Sequence, residues 1–290
     1  MKIRRSEMET KRKGFNIKTR RTIAYIVLIL LTIMCLFWFW VLFVNTTRTH
    51  SQITTGFSAI PGTNFVNNWK SIMDGQLPVW TGLFNSFFVA TASAVLTTYF
   101  SSMTAYAIHA YRFKGRKFIA TYILMIMMIP TQVTALGFLE LIDKMGLDNS
   151  FIPLIVPAIA SPITYFYMKQ YLQSSMPLSI IEAARIDGAG EFKIFNTIVL
   201  PIIKPAIAVQ AIFGFVASWN NYFTPALVLH SNEKKTLPLL IATLRSADYL
   251  KFDMGKVYML ILFSIMPVVV VYLILSRQIV EGVAVGSVKG

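Results

Sequence analysis

Few residues in this chain have types and spacing that suit chemistry, and they fall into three groups. The first holds the imidazoles and the thiol. His50, His109 and His230 are far apart in sequence, at the edges of different apolar runs. They form no metal or catalytic set and read as interfacial side chains. The single cysteine, Cys35, lies inside an apolar run, so there is neither a disulfide framework nor a thiolate cluster. The second group is Ser218-Trp219-Asn220-Asn221-Tyr222-Phe223, in which aromatic faces sit beside amides. That pairing suits a hydroxyl-rich solute; equally, the two asparagines could bond between helices, because an amide without a partner is unfavourable in an apolar setting. The third is "EAARIDGAGEFKIFNTIVLP", Glu182 to Pro201, the most polar long segment of the second half. No GxxxxGK[ST] loop occurs, so nothing here cradles a nucleotide phosphate in that way.

The elements that must position these groups are read from the distribution of apolar residues. Of 290 residues, 55% are hydrophobic and only 14% charged, where a soluble domain carries about a quarter charged; the mean hydropathy is +0.60. Six blocks contain no Asp, Glu, Lys or Arg: Ile23–Val44, Leu83–Ile108, Phe118–Leu139, Phe151–Met168, Ala206–Leu229 and Val257–Ser276. Each is long enough to cross a hydrocarbon layer of about 30 Å as a helix. The fold class expected is therefore an all-α polytopic membrane protein with six spans over residues 23–276. The first block is too long for the core of a signal peptide and offers no small-residue cleavage site.

With a cytoplasmic amino terminus, 19 Lys and Arg residues lie on the cytoplasmic side and eight outside, which places both termini in the cytoplasm. The basic tail 1–22 then lies against anionic lipid, and the net charge of +14 calls for no nucleic acid. The outer loop 230–256, with Lys234, Lys235, Arg245, Lys251 and Lys256 partly offset by Glu233, Asp248 and Asp253, locally opposes the rule. No Asp, Glu, Lys or Arg sits inside any span, which argues against a proton- or sodium-coupled carrier and against voltage sensing. If the chain moves a solute uphill, the energy comes from elsewhere.

Local signals refine the picture. "NFVNNWKSIMDGQLPVW" predicts a short interfacial helix before the second span, with Trp69 and Trp80 at headgroup level. "ATASAVLTTYFSSMTAYA" predicts a small-residue face for close helix packing. Pro153, Pro157 and Pro162 require the fourth span to be kinked or partly unwound, and Pro130, Pro225 and Pro267 mark further bends. In segment 178–201, Ser179 caps a helix from Ile180 with Glu182 in a capping box. Gly188 and Gly190 turn the chain, and Glu191 opens a second helix with Phe192, Phe195, Ile198 and Val199 on one apolar face. Pro201 ends that helix, and Pro205 starts span five. Three acidic residues against two basic ones over 178–195 suit a protein partner better than a lipid surface.

These residues carry a resemblance. Glu182-Ala183-Ala184, then Gly188, Ile198 and Leu200-Pro201, resemble the EAA signature of the membrane subunits of bacterial ATP-binding-cassette importers. "DGAG", "WNNYFTPALVL", "KKTLPLLIATL" and the ending "VEGVAVGSVKG" are similar to the carbohydrate-uptake branch, relatives of the smaller maltose permease subunit. The resemblance implies a non-catalytic permease in the bacterial cytoplasmic membrane, with a coupling helix seated in a cytoplasmic ATPase. Glu182, Ala183, Ala184, Asp187, Gly188, Ala189, Gly190, Ile198, Leu200 and Pro201 would serve that coupling: Glu182 by a polar contact, Ala183 and Ala184 by close fit, Gly188 by the turn. Trp219, Asn220, Asn221 and Tyr222 would line a substrate path. It further implies a second permease subunit, an ATPase dimer that uses ATP and Mg, an extracytoplasmic solute-binding protein at loops 45–82 and 230–256, and a carbohydrate cargo. No cofactor or metal is expected on this chain. A non-sugar solute, an autonomous secondary carrier or a channel are the alternatives.

Overall fold

The computed structural model describes residues 17–74, 77–246 and 252–287, without the side chains of 17 and 277–287. Most of the basic tail, the extreme carboxy terminus, and Asp248 and Lys251 of the last outer loop lie outside it. Among the described residues the fold is all-helical. The helices are α1 Ile17–Thr46, α2 His50–Thr54, α3 Phe65–Met73, α4 Val79–Ala110, α5 Arg116–Ile126, α6 Thr131–Lys144, α7 Ile152–Ile155, α8 Pro162–Ser175, α9 Leu178–Ile186, α10 Glu191–Ile194, α11 Leu200–Ile202, α12 Lys204–Trp219, α13 Phe223–Val228, α14 Leu237–Arg245 and α15 Met254–Ser287.

By length and composition three helices are able to cross a membrane, Lys18–Thr46, Val79–Ala110 and Met254–Ser276, or up to five if each bent pair is one span. The prolines explain the difference from six uninterrupted spans. In the third block, α5 gives way to i→i−3 bonds at Met127, Met128 and Ile129 before Pro130, and the chain turns by 98° into α6. A residue that precedes proline avoids the α region, so the helix ends there. The fourth block is α7, a 3₁₀ turn Val156–Ile159 and then α8, each piece with a proline in its first turn. Ser161 caps α8 by accepting the Thr164 N–H. The fifth block breaks after Trp219 and resumes at Phe223. Pro267 interrupts nothing: α15 runs through it.

The centre of the fold is α4. Its buried positions include Ala90, Ser93, Ala94, Thr97, Thr98, Ser101, Ser102 and Ala105. This small-residue face lets α12 and α8 pack closely against it, as expected where lipid supplies no hydrophobic drive. At one end Ala90 and Ala94 meet Phe215, Trp219, Leu237, Leu240 and Leu260. Gly82 sits there because a Cβ would lie 2.5 Å from Leu240 Cδ1. The Ser86 hydroxyl accepts the Leu237 N–H at 2.8 Å, and Asn85 donates to the Glu233 and Lys235 carbonyls. By contrast, α1 is exposed around nearly its whole circumference until Val44, the pattern of a helix meant for an apolar surround. Its end is tied down: Asn68 of α3 donates to the Thr46 and Arg48 carbonyls at 2.8 and 2.9 Å.

Candidate functional site

Two features combine: an elbow at the carboxy-terminal end of α4 and a cavity along its middle. The elbow begins where Met176, extended before Pro177, ends α8. Helix α9 starts at Leu178 directly after that proline, without a side-chain cap, so the Ser179 capping box expected from the sequence does not form. The proline itself sets the start.

Ile181 and Ala184 face inward from α9, while Glu182, Ala183, Ile186 and Asp187 face out. Ala184 is 7% exposed and Ile186 86%. The expected close fit to a partner therefore has only Ala183 on the outer face; Ala184 is small because it packs into the elbow's own core. The helix closes when Ala189 N–H reaches the Ala184 carbonyl and Gly188 N–H the Arg185 carbonyl, both at 3.0 Å. Gly188, at φ 78°, takes the left-handed position of this motif. Gly190 is exposed and precedes α10, whose first residue is Glu191.

Pro201 does not end the second helix. A π turn, Phe195–Val199, carries the chain past it into α11, and the bend of 83° comes at Ile203, ahead of Pro205 and α12. The buried face is centred on Ile194 and Phe195 and continues through Val199 and Ile203. Ile198 and Leu200 pack partly against it. Phe192, expected on that face, is 70% exposed; a face centred on residues 194 and 195 leaves it on the other side.

One polar cluster fastens the elbow to α4. Glu191 accepts Arg185 Nε–H on Oε1 and the Tyr106 hydroxyl on Oε2, each at 2.6 Å. The Arg185 guanidinium lies 5.1 Å from the Tyr111 ring centre. Phe195 packs on Tyr99 and Tyr106, with ring centres 5.6 Å apart in both cases, and Tyr99 donates to Asn196 at 3.2 Å. The bond from Arg185 holds the Glu191 carboxyl down at about 2, and the carboxylate in turn raises Arg185. Burial raises Tyr111, followed by its interaction with Glu191.

The cavity has a volume of about 1250 Å³ and lies between α4, α6, the broken segment 153–164 and α12. Among the described residues, its walls hold none that is charged. Thr97 donates to the Ala158 carbonyl at 2.7 Å, so a side chain of α4 satisfies the unwound backbone opposite. On α12 the lining residues are Gln210, Phe213, Gly214, Ala217 and Ser218, followed by Asn221, one stripe at helical spacing.

Of the four path residues expected from the sequence, only Asn221 reaches this cavity. Its amide bonds locally: Oδ1 accepts Thr224 N–H and Nδ2 donates to the Thr224 hydroxyl, so it starts α13 rather than bridging helices. Trp219 is 2% exposed, stacks on Phe215 and donates to the Ser264 carbonyl at 3.1 Å, which makes it core. Asn220 and Tyr222 are exposed outside the lining. Sequence reasoning passed over Gln210, although a lone amide on an otherwise apolar helix, in phase with Ser218 and Asn221, was a usable signal.

Among the described residues no group of three or more His, Cys, Asp or Glu is placed to hold a metal. His109 pairs with the Met176 carbonyl at 3.0 Å, His230 with Asp148 at 3.1 Å, and His50 Nδ1 accepts the Met254 N–H at 3.1 Å.

Comparison with known proteins places the geometry in context. Residues 98–281 match the family described as binding-protein-dependent transport system inner membrane component. Among curated relatives, the arabinooligosaccharides transport system permease protein AraQ of Halalkalibacterium halodurans is 37% identical, over 79% of this chain and 81% of its own. The lactose transport system permease protein LacG of Rhizobium radiobacter is 32% identical over 92% and 96%. The sn-glycerol-3-phosphate transport system permease protein UgpE of Brucella abortus is 31% identical over 90% and 94%. Among solved structures, a chain of a bacterial ABC transporter that imports the acidic polysaccharide alginate superposes with a TM-score of 0.76 at 22% identity, covering 91% of this chain and 99% of that one.

Proposed function

The chain belongs to the family of binding-protein-dependent transport system inner membrane components, and on that premise we propose that it is the permease subunit of an ATP-driven importer for an oligosaccharide or other carbohydrate. The observation that carries the cargo class is the cavity. Its walls offer hydroxyls and amides and no charge, a lining that suits a neutral, hydroxyl-rich solute. AraQ and LacG are named for carbohydrate transport systems. The UgpE relatives give the second reading, sn-glycerol-3-phosphate or a similar anion, but a phosphate would be expected to meet Lys or Arg.

In this reading each bent pair counts as one crossing, which gives five, and the broken fourth block, α7 to α8, is the sixth, with both termini in the cytoplasm of a bacterial inner membrane. The Lys and Arg distribution supports that orientation. A second, homologous permease completes the path, and a solute-binding protein delivers the sugar from outside. A cytoplasmic ATPase dimer hydrolyses ATP with Mg, and the outer face of the elbow, Glu182, Ala183, Ile186, Asp187 and Phe192, seats in it.

The chain's own contribution is transmission. The elbow is tied through Glu191 to Tyr106 on α4, and the same helix carries Thr97 and Ser93 to the cavity wall. Nine residues of helix separate Tyr106 from Thr97, about 14 Å of stiff rod. A push on α9 therefore arrives as a displacement of the wall.

The test is affinity purification of the chain from its native membranes, with mass spectrometry of the proteins and sugars that follow. Recovery of an ATPase, a second permease and a sugar-loaded binding protein supports the reading. Recovery of copies of this chain alone refutes it.

A further inference from the structure

We propose that Gln210 touches the cargo: its amide exchanges hydrogen bonds with the hydroxyls of a neutral sugar crossing the cavity, so this subunit carries a sugar contact of its own. The inference rests on the carbohydrate reading above and deepens it. Gln210 is 5% exposed and lies on the cavity-lining stripe of α12. Its side chain makes no hydrogen bond among the described residues, yet it is not among the buried polar atoms sealed away from solvent. The amide therefore opens into the cavity.

A buried amide left without partners is unfavourable, and the space beside it must supply them. An amide presents two donors and one acceptor, which matches neighbouring sugar hydroxyls that both give and accept. The other side-chain amide of the lining, on Asn221, is engaged with Thr224. Ser218 stands on the same stripe eight residues along, about 12 Å away, so the rungs lie along the axis of the path. With no charged residue in the lining, a neutral solute meets no unpaired charge there.

The experiment uses the whole importer, reconstituted in proteoliposomes with its binding protein and given labelled arabinotriose, lactose and maltotriose. For the sugar that the native importer carries, Gln210→Leu is expected to cut uptake at low sugar about tenfold, the effect of one hydrogen bond of about 1.4 kcal/mol. Gln210→Asn should recover part of it. Gln210→Cys on a Cys35→Ser background is then treated with a water-soluble methanethiosulfonate. Modification that blocks uptake, and that the carried sugar slows, supports the assignment even if Gln210→Leu does not assemble. Unaltered uptake by Gln210→Leu, or an unreactive thiol at position 210, overturns it while leaving the importer reading intact. If the solute recovered with the native importer's binding protein is not a carbohydrate, the carbohydrate reading falls and this inference with it.

Discussion

Replacing Glu191 by glutamine keeps the planar shape of the side chain and removes its charge, which isolates the tie between elbow and α4. The carboxylate accepts Arg185 and Tyr106, each at 2.6 Å, and sits at about 2 rather than 4.5. At 1.36 kcal/mol per unit that shift corresponds to about 3 kcal/mol. Solvent screens much of it, because the Arg185 and Glu191 side chains are 33% and 38% exposed, leaving about 1 kcal/mol. The Tyr106 bond to a charged acceptor becomes a neutral one, which brings the total to about 1–2 kcal/mol. That is about a 5- to 30-fold rise in the fraction of molecules with the tie open. In the reconstituted importer, sugar moved per ATP should fall as the closed fraction falls, with basal ATP hydrolysis and assembly retained. A double-mutant cycle with Arg185→Leu should give a coupling energy of about 1–2 kcal/mol. Unchanged uptake per ATP in Glu191→Gln, or strictly additive single effects, would show that the tie transmits nothing.

Three further outcomes follow from the same geometry. Because the folded pKa of Glu191 lies below its ordinary value, the stability it adds is full above about pH 4.5 and is lost as pH falls toward about 2; thermal unfolding in detergent should show no step from this pair between about pH 5 and 8, and a step that vanishes in Glu191→Gln would contradict it. At Gly188, φ is 78° and a Cβ meets nothing within 4 Å, so Gly188→Ala should lower stability by about 1 kcal/mol by conformation alone. Gly188→Pro, which cannot adopt that φ and loses the bond to Arg185, should abolish uptake while membrane insertion persists, as immunoblots of isolated membranes would report. Trp219→Phe should lower the melting temperature through loss of the bond to Ser264, about 1 kcal/mol, and leave the sugar concentration for half-maximal uptake unmoved; a shift of several-fold would return Trp219 to the path.

How far these features could be read in advance depended on which force set them. Charge-free length located α1, α4 and α15, because water-to-lipid transfer is a property of composition. The fourth block was equally apolar, and its prolines announced an unwound stretch, but the sequence could not say that Thr97 of α4 would satisfy the backbone it released. The elbow's turn at Gly188 was legible from a local conformational rule. The start at Leu178 was not, since Pro177 outranked the Ser179 cap. Trp219 had the chemistry of a sugar platform but faces Phe215 and Ser264. Gln210 carried a signal in its phase with Ser218 and Asn221, and the side of α12 that faces the cavity is what gives that signal its meaning. Residue type proposes a contact, and the face of the helix decides it.

The π turn at Phe195–Val199 lets the elbow hold one residue more than a regular helix of the same rotation. Thr197 is exposed there, and many residues could replace it. Deleting Thr197 would tighten the turn to an α-helix, and the lost residue and the tighter winding nearly cancel in rotation. Val199 and Ile203, both fully buried, would keep their side of the helix. A deletion that the turn does not absorb would instead rotate everything beyond it by about 100°. A library with single-residue deletions across 191–203 should therefore find its survivors within 195–199, and this stretch should vary in count as well as in letters.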